Sequence, residues 1–155
     1  MGTKQTVTLI LLFLCLGVAS ASAQPAGKQA NKPAANSESN AIRSTPAYAA
    51  ILLRDTELKA DLESLLLDYT EDYPKVKEIR SELELLDSEF DRLLAVKPAD
   101  SHKLTEALGK LILGKVGNQS KLRQLRLQYA DDNPSVKRQR KKVEVYEAAI
   151  KQILD

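Results

Sequence analysis

Few side chains in this 155-residue chain could carry chemistry, so they are taken first. There is one histidine, His102, and one cysteine, Cys15. No second ligand stands at metal spacing from His102, and no serine–carboxylate arrangement beside it would make a nucleophilic triad. Acidic pairs occur twice, as Glu71-Asp72 and Asp131-Asp132, each just before a proline. Short acidic tips of this kind could hold a cation weakly, but acidic groups are also favoured wherever a helix begins. No glycine-rich phosphate loop is present. The residues therefore point away from an enzyme, and no cofactor or metal is expected.

Charge is the more informative property. The formal net charge is only +2. Residues 46–96 nevertheless hold 6 basic and 13 acidic side chains, and residues 97–155 hold 13 basic and 7 acidic ones. One half is acidic and the other basic, which fits either solvated helix faces or electrostatic pairing of the halves or of subunits. The densest basic stretch is VKRQRKKV, with Lys137, Arg138, Arg140, Lys141 and Lys142 as candidate anion- or partner-binding residues. Nucleic acid is not the expected partner, because no aromatic residues are interleaved for base stacking. An anionic polysaccharide, lipid headgroups or an acidic protein face fit better, and a plain solvated helix face is the bland alternative.

The elements that must position these groups are helical. Val76, Ile79, Leu83, Leu86, Phe90 and Leu93 are spaced 3, 4, 3, 4, 3, a heptad seam, and Val136, Gln139, Val143, Tyr146, Ile150 and Ile153 follow the same spacing. Upstream, Ile51, Leu58, Leu62, Leu65 and Tyr69 share the period, as do Leu104, Leu108, Leu111, Leu122, Leu125 and Tyr129. Nothing alternates as a strand would. Helices are predicted over about 47–70, 74–96, 102–130 and 134–154. Ser101 or Asp100 is the expected N-cap of the third, and Asn133 that of the fourth. Tyr73 is a poor cap for the second, where Asp72 would substitute. Gly109, Gly114 and Gly117 predict a kink or fraying near 114–119.

The chain also repeats. At an offset of 60, residues 61–94 and 121–154 share 11 of 34 identities without a gap. Among them are Tyr69/Tyr129, Asp72/Asp132, Pro74/Pro134 and Val76/Val136, which lie around the breaks and which leucine periodicity alone does not explain. Proline is well suited to the first turn of a helix. Each break therefore reads as the tip of a helical hairpin, and the fold class as all-α, a four-helix up-down bundle of two duplicated hairpins, 47–96 and 102–154. One long antiparallel coiled-coil hairpin kinked at the prolines is the alternative. Asp55 and Lys115 are equivalent across the repeat and interrupt the apolar seam, so they are expected to pair inside and fix register.

The N-terminus reads as an export leader. Lys4 precedes the apolar run Val7–Val18, and Ala21-Ser22-Ala23 offers a cleavage site before Gln24. The run is shorter than the roughly 20 residues a membrane span needs. Residues 1–23 are thus expected to be a signal peptide, 24–46 a disordered linker and 47–155 the helical domain. Localisation would be periplasmic or secreted, with Cys15 lost on processing.

The repeated words YTEDYPKVKEIRSELELL and YADDNPSVKRQRKKVEVY resemble the periplasmic coiled-coil segments of polysaccharide chain-length determinants, a copolymerase-type export family. The matching positions are Tyr69, Pro74, Val76 and Ile79, then Tyr129, Pro134 and Val136, with Gln139 departing from the apolar pattern. That family also carries membrane spans, which this sequence lacks. The resemblance implies a helical envelope module that packs on other helices, linked to polysaccharide export. The expected function is a non-catalytic scaffold or adaptor working through a protein partner or self-association. The alternatives are a binding module for anionic glycan or lipid and a small periplasmic chaperone.

Overall fold

A computed structural model of the chain describes residues 40–155. The expected signal peptide and most of the expected linker lie outside the described residues. Among the described residues, four long α-helices follow a helical turn at 40–43: α1 (Pro46–Leu66), α2 (Pro74–Leu94), α3 (Glu106–Gln128) and α4 (Pro134–Leu154), with a short 3₁₀ helix at Pro98–Lys103. Among the described residues there is no β-strand. The protein is all-α.

Each helix begins where its sequence can satisfy the first free N–H groups. Thr45 caps α1 by accepting from the Tyr48 N–H, and Thr105 caps α3 by accepting from Leu108 at 3.3 Å. Asn133 caps α4 through a 2.8 Å bond from the Ser135 N–H. Pro46, Pro74 and Pro134 occupy first turns, where a missing N–H removes no helical bond.

Several expectations are corrected here. The third α-helix starts at Glu106 rather than 102, because Pro98–Lys103 forms the tighter 3₁₀ turn first. Neither Ser101 nor Asp100 is its cap. Asp72 does not cap α2; it is exposed and pairs with Lys77 at 2.8 Å. The folded part also begins before residue 47: residues 40–43 form a helical turn, and Ile42 is 1% exposed within the core.

The chain reverses at both prolines. Arg54 of α1 reaches Glu82 of α2 at 2.9 Å, and Lys115 of α3 reaches Glu147 of α4 at 2.9 Å. Contacts between positions this far apart in sequence require hairpins, not kinked continuous helices. The two tips are built alike. The Tyr69 N–H donates to Leu65 O at 2.9 Å, and Tyr129 to Leu125 O at 2.9 Å. Arg80 clasps Glu71 at 2.5 Å, and Arg140 clasps Asp131 at 3.1 Å. Val76 and Val136 are both fully buried one turn inside the prolines. The duplicated Tyr, Pro, Val and Arg are thus the parts of a tip.

Packing centres on α3, which meets α1, α2 and α4, while α1 also packs on α2 and shares no packed interface with α4. The core is Ile51 and Leu58 of α1, Leu86 and Leu93 of α2, Leu108, Ile112 and Val116 of α3, and Ile150 of α4, joined by Ile42 and Leu104. Burying one such side chain stabilises the fold by roughly 1.5–3 kcal/mol. The glycines in α3 do not break it; the helix is continuous from 106 to 128. They let neighbours come close. A Cβ on Gly109 would lie 3.0 Å from Ala50 Cβ and 3.1 Å from Ala47 Cα, and one on Gly114 would collide with the Cε1 edge of the Tyr146 ring.

Candidate functional site

Charge enters the interior at two places. Asp55 is 4% exposed and Lys115 6% exposed, so both lie on the buried seam. They do not pair with each other. Asp55 Oδ2 accepts from Lys59 at 2.8 Å along its own helix, a bond that lifts the Lys59 ammonium above the usual lysine range. Lys115 turns instead to Glu89 of α2 and Glu147 of α4. The heptad shows which residues face inward but not which neighbour each meets, and the carboxylates of α2 and α4 lie nearer.

Around Lys115 a four-member network joins three helices. Arg92 of α2 lies 3.0 Å from Glu147 and 3.9 Å from Glu89. Two cations and two carboxylates cancel. Burial pushes the Glu147 carboxyl up, but the bond and charge of Lys115 and the charge of Arg92 outweigh it, leaving it below the usual range. Three ion pairs cross between the hairpins, Lys115–Glu89, Arg92–Glu147 and Arg123–Glu84. One layer away, buried Gln139 donates to Asn118 O and Oδ1, both at 2.9 Å. At the equivalent positions of the first hairpin stand Ile79 and Leu58, both buried.

The groups first suspected of chemistry are engaged structurally. His102 is exposed, with Nδ1 3.1 Å from Ala99 O within the 3₁₀ turn. At the tips, Lys77 draws Asp72 below the usual carboxylate range by hydrogen bond and charge. Arg126 does the same to Asp131, bonding it at 2.8 Å. Asp132 is exposed, Tyr69 and Tyr129 are partly exposed, and Tyr69 stacks on Tyr73 with ring centroids 4.1 Å apart. Pro74 and Pro134 are exposed at their helix starts. Among the described residues, no group of three or more His, Cys, Asp or Glu side chains could hold a metal ion.

The basic stretch divides. Arg140 is half-buried and committed to Asp131. Lys137, Arg138, Lys141 and Lys142 are exposed, with Lys141 3.0 Å from Glu144 and Arg138 3.3 Å from Ser135 Oγ. Arg138, Lys141 and Lys142 share a shallow hollow of about 390 Å³ with Val145 and Tyr146. A larger groove, about 780 Å³, runs between the start of α2 and the end of α3, floored by Ser81, Ser120 and Gln124. Arg123 crosses its lower end to Ser81 Oγ at 2.9 Å.

One surface goes unnoticed when a single seam is traced along α1. Ala49, Leu53, Thr56, Ala60, Glu63 and Leu67 are spaced 4, 3, 4, 3, 4 and all are exposed, Leu53 by 63% and Leu67 by 85%. The signal is present in the sequence: α1 is apolar on two faces, and a helix packed on one side needs only one. Among the described residues, no helix is long and apolar enough to cross a membrane. No protein-family model, curated protein or solved structure matches the chain.

Proposed function

We propose that this chain is an exported, non-catalytic α-helical scaffold or adaptor that acts through helix–helix contacts. The observation that carries the reading is the second heptad stripe of α1. Leu53 on the helix and Leu67 at its C-cap stand in water, and Leu53 lies among the small residues Ala49, Thr56 and Ala60 that would let another helix approach closely. Such a stripe on an otherwise packed helix marks an interaction surface more than a structural need. The leader sequence supports export, and the repeated tip motif supports a place in an envelope assembly linked to polysaccharide export.

A photoreactive residue at position 53, introduced into the full chain and activated in living cells, tests this. Discrete protein adducts are expected from position 53 and none from Glu84, which is exposed on α2. If position 53 yields no protein adduct, the scaffold reading fails.

A second reading rests on the free ends of Lys137 and Lys142, which are exposed on α4 and make no ion pair among the described residues. These cations would hold an anionic glycan or lipid headgroup. Binding to anionic vesicles or a sulfated polysaccharide that weakens steeply with salt is its signature. Equal binding to neutral vesicles would remove it.

A further inference from the structure

We infer that the helix seated on α1 is α4 of a second copy of this chain, an inference that rests on the scaffold reading and names its partner. Within one molecule the outward faces of α1 and α4 are exposed at the same time. The two faces match in shape. On α1 the row is Ala49, Leu53, Thr56, Ala60 and Glu63, ending at the C-cap Leu67; on α4, Arg138, Lys141, Val145, Ala148 and Gln152 are spaced 3, 4, 3, 4 and are all exposed. The α1 row is mostly small or aliphatic, and α4 sets Val145 and Ala148 between longer polar side chains, so close packing is available at the middle of the contact.

They differ in charge, and the difference has a direction. On α1 the acidic rim, Glu57, Asp61 and Glu63, lies in the C-terminal half; on α4 the basic set, Lys137, Arg138, Lys141 and Lys142, lies in the N-terminal half. An antiparallel alignment with Val145 level with Thr56 brings Arg138 to Glu63 and Lys141 beside Asp61, while Lys142 comes level with Lys59 between Glu57 and Asp61. It also sets Ala148 against Leu53, so apolar meets apolar. A parallel alignment would put the basic turns against Ala49–Leu53 and leave Lys151 as the one cation of α4 beside the acidic rim. Successive helices of the bundle are antiparallel, so α1 and α4 point in opposite directions. Two copies joined in this way therefore point their hairpin tips the same way. The contact uses different faces on the two partners, so it is heterologous and repeats from copy to copy.

Two sets of substitutions on exposed positions test it, in protein purified from cells expressing the full chain. One set reverses α1 (Glu57→Lys, Asp61→Lys, Glu63→Lys) and the other reverses α4 (Arg138→Glu, Lys141→Glu, Lys142→Glu). Thermal melts of each establish that the fold is kept, and the single variants Asp61→Lys and Lys141→Glu replace any set that melts early. By sedimentation, wild type is expected to associate with concentration and to dissociate with added salt. Either set alone should weaken association by about tenfold or more, because like charges then face each other. An equimolar mixture of the two sets should associate again, since each reversed face finds a complementary one.

Wild type that stays monomeric at low salt overturns the inference, as does a mixture that stays dissociated. So does association untouched by both sets. If wild type is monomeric while position 53 still crosslinks a different protein, the copy-to-copy contact is wrong and the scaffold reading stands.

Discussion

Gly114 and Gly117 lie one turn apart on α3, and their replacement by alanine should have opposite effects. Alanine is favoured over glycine inside a helix by roughly 0.8–1.0 kcal/mol, and that gain applies at both positions. Around Gly117 nothing lies within 4 Å of an added Cβ. The gain there should stand, raising the melting temperature by about 3–5 °C for a domain of this size. At Gly114 the added carbon would lie 2.4 Å from Tyr146 Cε1 and 2.9 Å from Cζ. Carbon atoms rest about 3.5–4.0 Å apart, so the ring must retreat by about 1 Å or more. Overpacking of this kind costs about 1–3 kcal/mol, which leaves Gly114→Ala between neutral and about 2 kcal/mol less stable than wild type. The gap between the two variants is the quantity to measure, by thermal and denaturant unfolding, because propensity cancels from it. It should fall to about zero in a Tyr146→Val background, where the ring is gone. If Gly114→Ala is as stable as Gly117→Ala with Tyr146 present, the close approach of α3 and α4 has been misread.

The ionic network, the caps and the acid response give further tests. Lys115→Met should cost about 3–5 kcal/mol by leaving Glu89 buried without its cation, and Lys115→Met/Glu89→Met should recover most of it; a double variant no more stable than the single would refute the network. Thr105→Ala should cost about 1 kcal/mol in denaturant unfolding, while Ser101→Ala should stay within about 0.5 kcal/mol; the reverse order would move the start of α3. Glu147 has a folded-state affinity for protons below that of the unfolded chain. Its contribution is therefore complete above about pH 4.3 and is lost as pH falls further. Melting temperature followed from pH 6 to pH 3 should decline less in Glu147→Gln than in wild type, and parallel curves would contradict the assigned shift.

Much of the fold was legible in the sequence because periodicity and proline placement speak about local structure. The heptad seams and Pro74 and Pro134 were enough to predict four helices and two reversals. The start of α3 is not legible from capping residues alone because Ser101 and Thr105 are both good caps, and only the 3₁₀ turn that takes up Ser101 decides between them. The repeat held the answer: carried upstream, the 60-residue offset pairs Thr105 with Thr45, the cap of α1. The partner of Lys115 was not legible, since inward placement is a property of one helix and pairing is a property of three. The exposed stripe of α1 was legible but overlooked, because Leu53 and Leu67 lie beside stronger seam residues. Glycine inside a helix signals weakness by propensity alone, whereas Gly109 and Gly114 are points of close contact that only the packed neighbours reveal.

The exchange of Leu58 and Ile79 in one hairpin for Asn118 and Gln139 in the other has a consequence for how the chain finds its fold. Two halves descended from one unit could trade places, within a chain or between chains, giving swapped and tangled products. Leu58 offers only its backbone carbonyl where Asn118 also offers Oδ1, so a Gln139 set against Leu58 would lose one of its two hydrogen bonds in a buried place. The polar pair therefore gives each hairpin an identity. It lets the folding chain tell its first half from its second, at the cost of two apolar side chains in the core.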